Sequence, residues 1–170
     1  YIQYADVPPP CDAPHLTPRA DPPGITGQPL GGVLPNEGGR LSRYTAEAEA
    51  GMKGITFPAW QGRHYVTLAE LLVRLGSFGL GLRWRVECDE QWDLPAELER
   101  RSAGDGMDTL MLLSLTAPDI QLIDAEACGF AEGALVVVLT EVDSSLWDVR
   151  AVDERLLSEL RGYYPGAADL

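Results

Sequence analysis

The sequence predicts an α+β fold: a single domain with a mixed, mainly antiparallel sheet of about five strands and three to four short helices, preceded by an extended N-terminal arm. Three observations carry that expectation. Apolar residues recur at helical spacing in some segments and at period two in others. The segments of strand character after residue 120 are joined by short connections, which suit antiparallel neighbours because a parallel return needs a crossover of about a dozen residues. Nine of the thirteen prolines and six of the eighteen glycines fall in residues 1–43, where neither a helix nor a central strand persists.

The division that follows is an arm over residues 1–43 and a globular domain over 44–170. Within the arm, Ile2, Tyr4, Val7, Leu16, Ile25, Leu30, Val33 and Leu34 are apolar enough to dock, so an ordered, wrapping arm is expected. Residues 45–53 alternate good helix formers with little to bury, which predicts a short exposed helix stopping near Gly54. Pro58 interrupts residues 55–60 and marks them as an edge strand, with a turn at Gln61 and Gly62 and a second extended piece at 64–66. Thr67 followed by Glu70 is a capping box, and Leu68, Leu71, Leu72 and Leu75 place one apolar face on the helix it opens.

Gly76, Gly79 and Gly81 read as the stop of that helix. Leu80, Leu82, Trp84, Val86 and Cys88 then alternate with polar residues, a half-buried strand. Residues 94–101 form a short helix with Pro95 in its first turn. The nearly continuous apolar run 109–115 is short enough to be read as a central strand. Residues 120–127 and 134–140 are two more strands separated by a loop at Gly129 to Gly133, and 146–149 is a fourth. Asp153 caps a final helix over 155–161, stopped by Gly162 and Pro165.

Composition bounds the function. At 170 residues, 45% hydrophobic and 23% charged, the chain can bury one core. Its formal charge is −13, with one lysine, Lys53, against twelve arginines, so it lacks the cationic surface that binds a phosphate backbone and no nucleic acid is expected. No apolar run approaches a membrane span. Cys11, Cys88 and Cys128 are odd in number and far apart, and the only asparagine, Asn36, is not in a glycosylation sequon. Reduced thiols and a cytoplasmic location are expected.

Several catalytic patterns are missing. No glycine-rich loop leads into Lys53, there is no G-x-S-x-G, and neither histidine belongs to H-E-x-x-H. Cys128 with His64 would make a nucleophile and base only if the fold joined them, and Cys11 with His15 is two ligands short of a zinc site. No cofactor is expected. Asp124 and Glu126 are the candidate metal or acid–base pair, because residues two apart on a strand share a face; if Ile123, Ala125 and Ala127 face the core instead, the two carboxylates are merely solvated.

The least random feature is the charge distribution. Residues 102–149 hold nine acidic residues and no lysine or arginine, and Glu87 to Glu99 hold six more without a base. This predicts a two-sided surface. The function expected from it is an acidic protein-binding factor, of inhibitor, immunity or antitoxin type, that neutralises a basic partner protein. Trp92 and Asp93, with Glu132, Glu141, Asp143 and Asp148, are the expected partner-binding residues, and reversing Glu141 and Asp143 is expected to slow association without disturbing the fold. A small carboxylate-based or metal-assisted enzyme acting through Asp124 and Glu126 is the first alternative. A structural subunit assembling through its arm is the second.

Overall fold

A computed structural model of the chain describes residues 49–89, 93–117 and 120–170. The chain divides into two units, Tyr1–Gly38 and Gly39–Leu170, and all described residues belong to the second. The expected arm and the first half of the expected 45–53 helix lie outside them.

A 3-10 turn, Glu49–Gly51, leads into strand β1, Lys53–Pro58. A small hairpin follows, β2 (Trp60–Gln61) with β3 (His64–Tyr65), then helices α1 (Leu68–Arg74) and α2 (Gly76–Leu80). Next come β4 (Arg83–Cys88), α3 (Asp93–Ser102), β5 (Met107–Asp108) and α4 (Thr109–Thr116). The chain closes with β6 (Ala125–Ala131), β7 (Ala134–Val142), β8 (Leu146–Ala151), α5 (Glu154–Tyr163) and β9 (Ala168–Asp169). The main sheet has seven strands in the order β5-β4-β6-β7-β8-β1-β9, and every pairing in it is antiparallel. No helix among the described residues is long and apolar enough to cross a membrane.

One face of the sheet carries the core. Ile55, Phe57, Trp84, Val86, Leu139, Trp147 and Val149 meet Leu68, Leu71, Leu72 and Leu75 from the first helical segment, Leu98 of α3, Leu112 of α4 and Leu156, Leu157 and Leu160 of α5 in one buried cluster. Phe57 stacks on Tyr164 at 4.3 Å between ring centroids. The leucine face of α1 stands as its spacing predicts, and the Thr67 hydroxyl accepts the Glu70 amide at 3.1 Å. The reciprocal half of the capping box is absent because the Glu70 carboxylate takes other partners, His64 Nε2 at 2.5 Å and the Tyr164 hydroxyl at 3.1 Å.

Five elements depart from the expectation. The described part of the helix expected to stop near Gly54 is one 3-10 turn, and Lys53 and Gly54 belong to β1. Residues 109–116 are a helix, not a central strand: the Asp108 carboxylate accepts the Met111 amide at 2.8 Å and so provides a helix start. Apolar residues lie all around α4, and a run of that kind has no periodicity to tell helix from strand. The strand expected at 120–127 begins five residues later and takes in Gly129, where an added Cβ would lie 2.6 Å from Val137 Cγ1 and 3.1 Å from Trp84 Cη2. That glycine is a packing residue, and the turn sits at Glu132 and Gly133, both with positive φ. Residues 76–80 re-enter a helix after the break at Gly76, φ 55°. Finally, β1 is not at the edge, because the two-residue β9 lies outside it.

The other edge is closed by side chains. β5 pairs only with Arg83 and Trp84, and beyond that point α3 covers the exposed rim of β4. The Val86 amide donates to Ser102 Oγ at 2.9 Å, the Ser102 hydroxyl donates back to the Val86 carbonyl at 3.3 Å, and the Cys88 amide donates to Glu99 Oε1 at 2.9 Å. Capping the rim in this way removes donors that would otherwise recruit a foreign strand.

Candidate functional site

The ends of β4, β7 and β1 and the starts of β6 and β8 meet at one end of the sheet, as the pairs Cys88 with Ala125, Val142 with Leu146 and Pro58 with Leu146 show. The connections there carry Asp89, Asp124 and Asp143, all exposed. Their backbones interlock. The Asp89 amide donates to the Asp124 carbonyl at 3.1 Å, and the Asp143 amide donates to Asp124 Oδ1 at 2.9 Å. Among the described residues none of the three carboxylates forms an ion pair.

Asp124, Asp143 and Ser144 have φ of 48°, 48° and 53°. Aspartate enters that left-handed region more readily than most residues, and at Asp124 the conformation accompanies a side-chain bond to the Asp143 amide of a separate connection. The successive positive φ values at Asp143 and Ser144 give the turn the handedness that suits a hairpin.

Beneath this end lies Glu141, 1% exposed. Its two oxygens accept the Tyr65 hydroxyl at 3.0 Å and the Asp124 amide at 2.9 Å, while the same hydroxyl is 3.1 Å from the Leu122 carbonyl. Burial pushes the Glu141 carboxyl above its usual range, against the hydrogen bond from Asp124. The same burial, with Glu141 beside it, raises the Tyr65 phenol. Glu141 is thus a structural carboxylate that ties the 122–124 loop to the β2–β3 hairpin.

Trp60 stands over this end, 48% exposed, its indole donating to the Ser144 carbonyl at 3.1 Å and its ring edge-on to Tyr65 at 5.3 Å. Leu146, opposite Pro58 in the β1–β8 register, is 38% exposed. The result is three carboxylates without an ion pair among the described residues, on a braced backbone, at the end of the sheet where Trp60 is pinned to Ser144.

No protein-family model, no curated protein and no solved structure matches this chain.

The expected site residues scatter over this frame. Asp143 is in the acidic end. Glu132 lies in the β6–β7 turn at the opposite end, and Asp148 lies within β8 on the sheet face away from the core. Glu141 corrects the expectation of a surface charge: its side chain points into the core face, so reversing it would disturb folding. Trp92 lies outside the described residues, and Asp93 opens α3. Trp147 is a core residue, 1% exposed, its indole donating to the Val66 carbonyl at 2.7 Å.

The Asp124 and Glu126 pair is not assembled. Asp124 precedes the strand with a left-handed backbone, so period-two spacing does not apply to it, and it is Ala125 and Ala127 that enter the core. The Glu126 carboxylate accepts the Cys128 thiol at 3.4 Å on the other face. No group of three or more His, Cys, Asp or Glu side chains suited to a metal occurs among the described residues. Cys128 and His64 have different partners as well, Glu126 and Glu70, and burial with the Glu126 charge raises the Cys128 thiol, the opposite of what a nucleophile needs. Asp89 and Trp60 were missed because exposure at a strand end has no local signature. The available signal was the unpaired acidic run around Asp89.

Proposed function

We propose that this chain is an acidic protein-binding factor that neutralises a basic partner protein, and that it docks through the end of the sheet bearing Asp89, Asp124, Asp143 and Trp60. The observation that supports this reading is the braced acidic end itself. Three acidic residues from three separate connections are linked through their backbones at one end of the sheet, where an exposed tryptophan is tied to Ser144, and none of their carboxylates is in an ion pair among the described residues.

The chemistry fits a cationic protein surface. Fixed like charges raise the encounter rate with an oppositely charged partner, and close charge pairs across an interface contribute ~1.5–7 kcal/mol in measured cycles. Tryptophan is enriched among the residues that dominate interface energy. Trp60 is also held by Ser144, which lowers the entropy lost on docking.

The test is capture of a basic protein from the native host by the intact chain, followed by association kinetics with Asp89→Asn, Asp143→Asn and Trp60→Ala. Asparagine tolerates the left-handed backbone at residue 143, so charge is removed with little strain. The two neutralised variants should associate more slowly, with the difference fading at high salt because exposed charges are screened. Trp60→Ala should raise the dissociation rate. Captured protein whose kinetics ignore all three substitutions would sink the proposal.

A further inference from the structure

The helices carry an exposed apolar patch at the end of β4 remote from the acidic end. Leu110 is 64% exposed, Leu80 60% and Met111 42%. The fold brings their helices together: the Thr109 hydroxyl of α4 donates to the Gly79 carbonyl of α2, and Leu110 and Leu80 each follow one member of that bond. α4 buries Leu112 in the core and still turns Leu110 and Met111 outward, so it holds more apolar surface than the core uses. Single exposed apolar residues need no explanation, but a group on two bonded helices marks a surface made to be covered.

The patch is also without charge. Residues 75–82 and 109–117 contain no Asp, Glu, Lys, Arg or His, in a chain of formal charge −13. The adjoining Asp108 carboxylate accepts the Met111 amide at 2.8 Å, which sets its charge against the positive end of α4. Strand β4 fixes the distance to the acidic end. Arg83 at its start pairs with Asp108, immediately before α4, whereas Cys88 at its end pairs with Ala125, beside Asp124. A six-residue strand at about 3.4 Å per residue separates the two ends by roughly 17 Å. That exceeds the Debye length of about 8 Å at physiological salt, so the patch is largely screened from the acidic end.

Charge selects the occupant. A basic surface finds no counter-charge here and is drawn to the acidic end instead. A charged acidic surface is repelled by the molecule as a whole. A second copy of this chain brings an uncharged apolar patch of the same kind, and meeting through it keeps the two acidic ends apart.

We infer that this chain self-associates as a two-fold dimer through the face bearing Leu80, Leu110 and Met111, leaving both acidic ends open. The two-fold axis places the same patch on both sides, so each substitution in it acts twice. This inference is independent of the function proposed for the acidic end.

Sedimentation of the full-length chain over a range of concentrations tests it. A monomer–dimer equilibrium should appear and should tighten as salt is raised, because screening relieves the repulsion between two acidic chains while the apolar contact remains. Leu110→Glu and, separately, Leu80→Glu should raise the dissociation constant about tenfold or more. Leu110→Ser, which adds no charge, should weaken the dimer in the same direction. Both positions are exposed, so at a dilution where the wild type is monomeric the variants should melt with it. Val152→Glu, at an exposed position outside the patch, adds the same charge and should leave the dimer intact. A monomer at every concentration and salt, a dimer that salt weakens, or a dimer indifferent to the substitutions at 80 and 110 overturns the inference. So does a dimer that Val152→Glu weakens as much as Leu110→Glu, or a monomer that instead binds vesicles of neutral phospholipid through the patch.

Discussion

The Tyr65 hydroxyl donates to the buried Glu141 carboxylate at 3.0 Å, and through this bond the β2–β3 hairpin is fastened beneath the acidic end of the sheet. The arrangement has a pH signature. Glu141 has its folded-state carboxyl pKa raised by burial, so its contribution to stability is greatest when protonated, below the ordinary carboxylate range, and is lost as pH rises through the raised value. Glu141→Gln can keep the geometry: its amide oxygen accepts from Asp124, and its NH2 donates to Tyr65 while the phenol donates to Leu122. The variant should melt higher than wild type at neutral pH, with the difference shrinking as the pH falls. Glu141→Ala should instead lose ~1–3 kcal/mol, because two buried donors lose their acceptor. Melts of the three proteins across the acid range decide the point.

Ser102→Ala should destabilise the fold by about 1–3 kcal/mol, since the Val86 amide would be left without a partner at a buried sheet rim. Hydrogen exchange at Val86 should rise with it. An unchanged exchange rate there would show that the serine is not the cap.

Gly129→Ala should cost about 1–3 kcal/mol, because the new methyl would press on Val137 and on the Trp84 ring in a packed core. Denaturant unfolding measures the loss, and Trp84 emission should shift with it. Gly133, with no atom near its Cβ but φ of 84°, should respond to alanine through backbone strain alone and leave Trp84 unmoved.

Leu71→Ala should lose ~2–5 kcal/mol, the range for emptying a buried leucine site. For a chain of this size that corresponds to a melting temperature lower by several degrees, at about 2–4 °C per kcal/mol. Val73→Ala on the same helix, at an exposed position, is the matched control and should barely change the melt.

Local pattern determined much of this protein. The leucines of α1, the alternation through Trp84, Val86 and Cys88, the strands expected at 134–140 and 146–149, the Asp153 cap and the antiparallel connections all follow from periodicity, capping chemistry and loop length, which act within a few residues. Tertiary structure decided the rest, for reasons that no short window contains. The 109–116 run is apolar on every side, so only the Asp108 cap and the place left for it between α1 and β4 make it a helix. Glu141 and Asp143 are two apart in an acidic run and look alike in sequence, yet one is buried under Tyr65 and the other is open to solvent. Asp124 and Glu126 are separated because a left-handed backbone at Asp124 ends the strand period between them. Asp89, Asp124, Asp143 and Trp60 come from four distant segments, and their convergence depends on the order β5-β4-β6-β7-β8-β1-β9, because only strand pairing brings remote strand ends to one margin of a sheet.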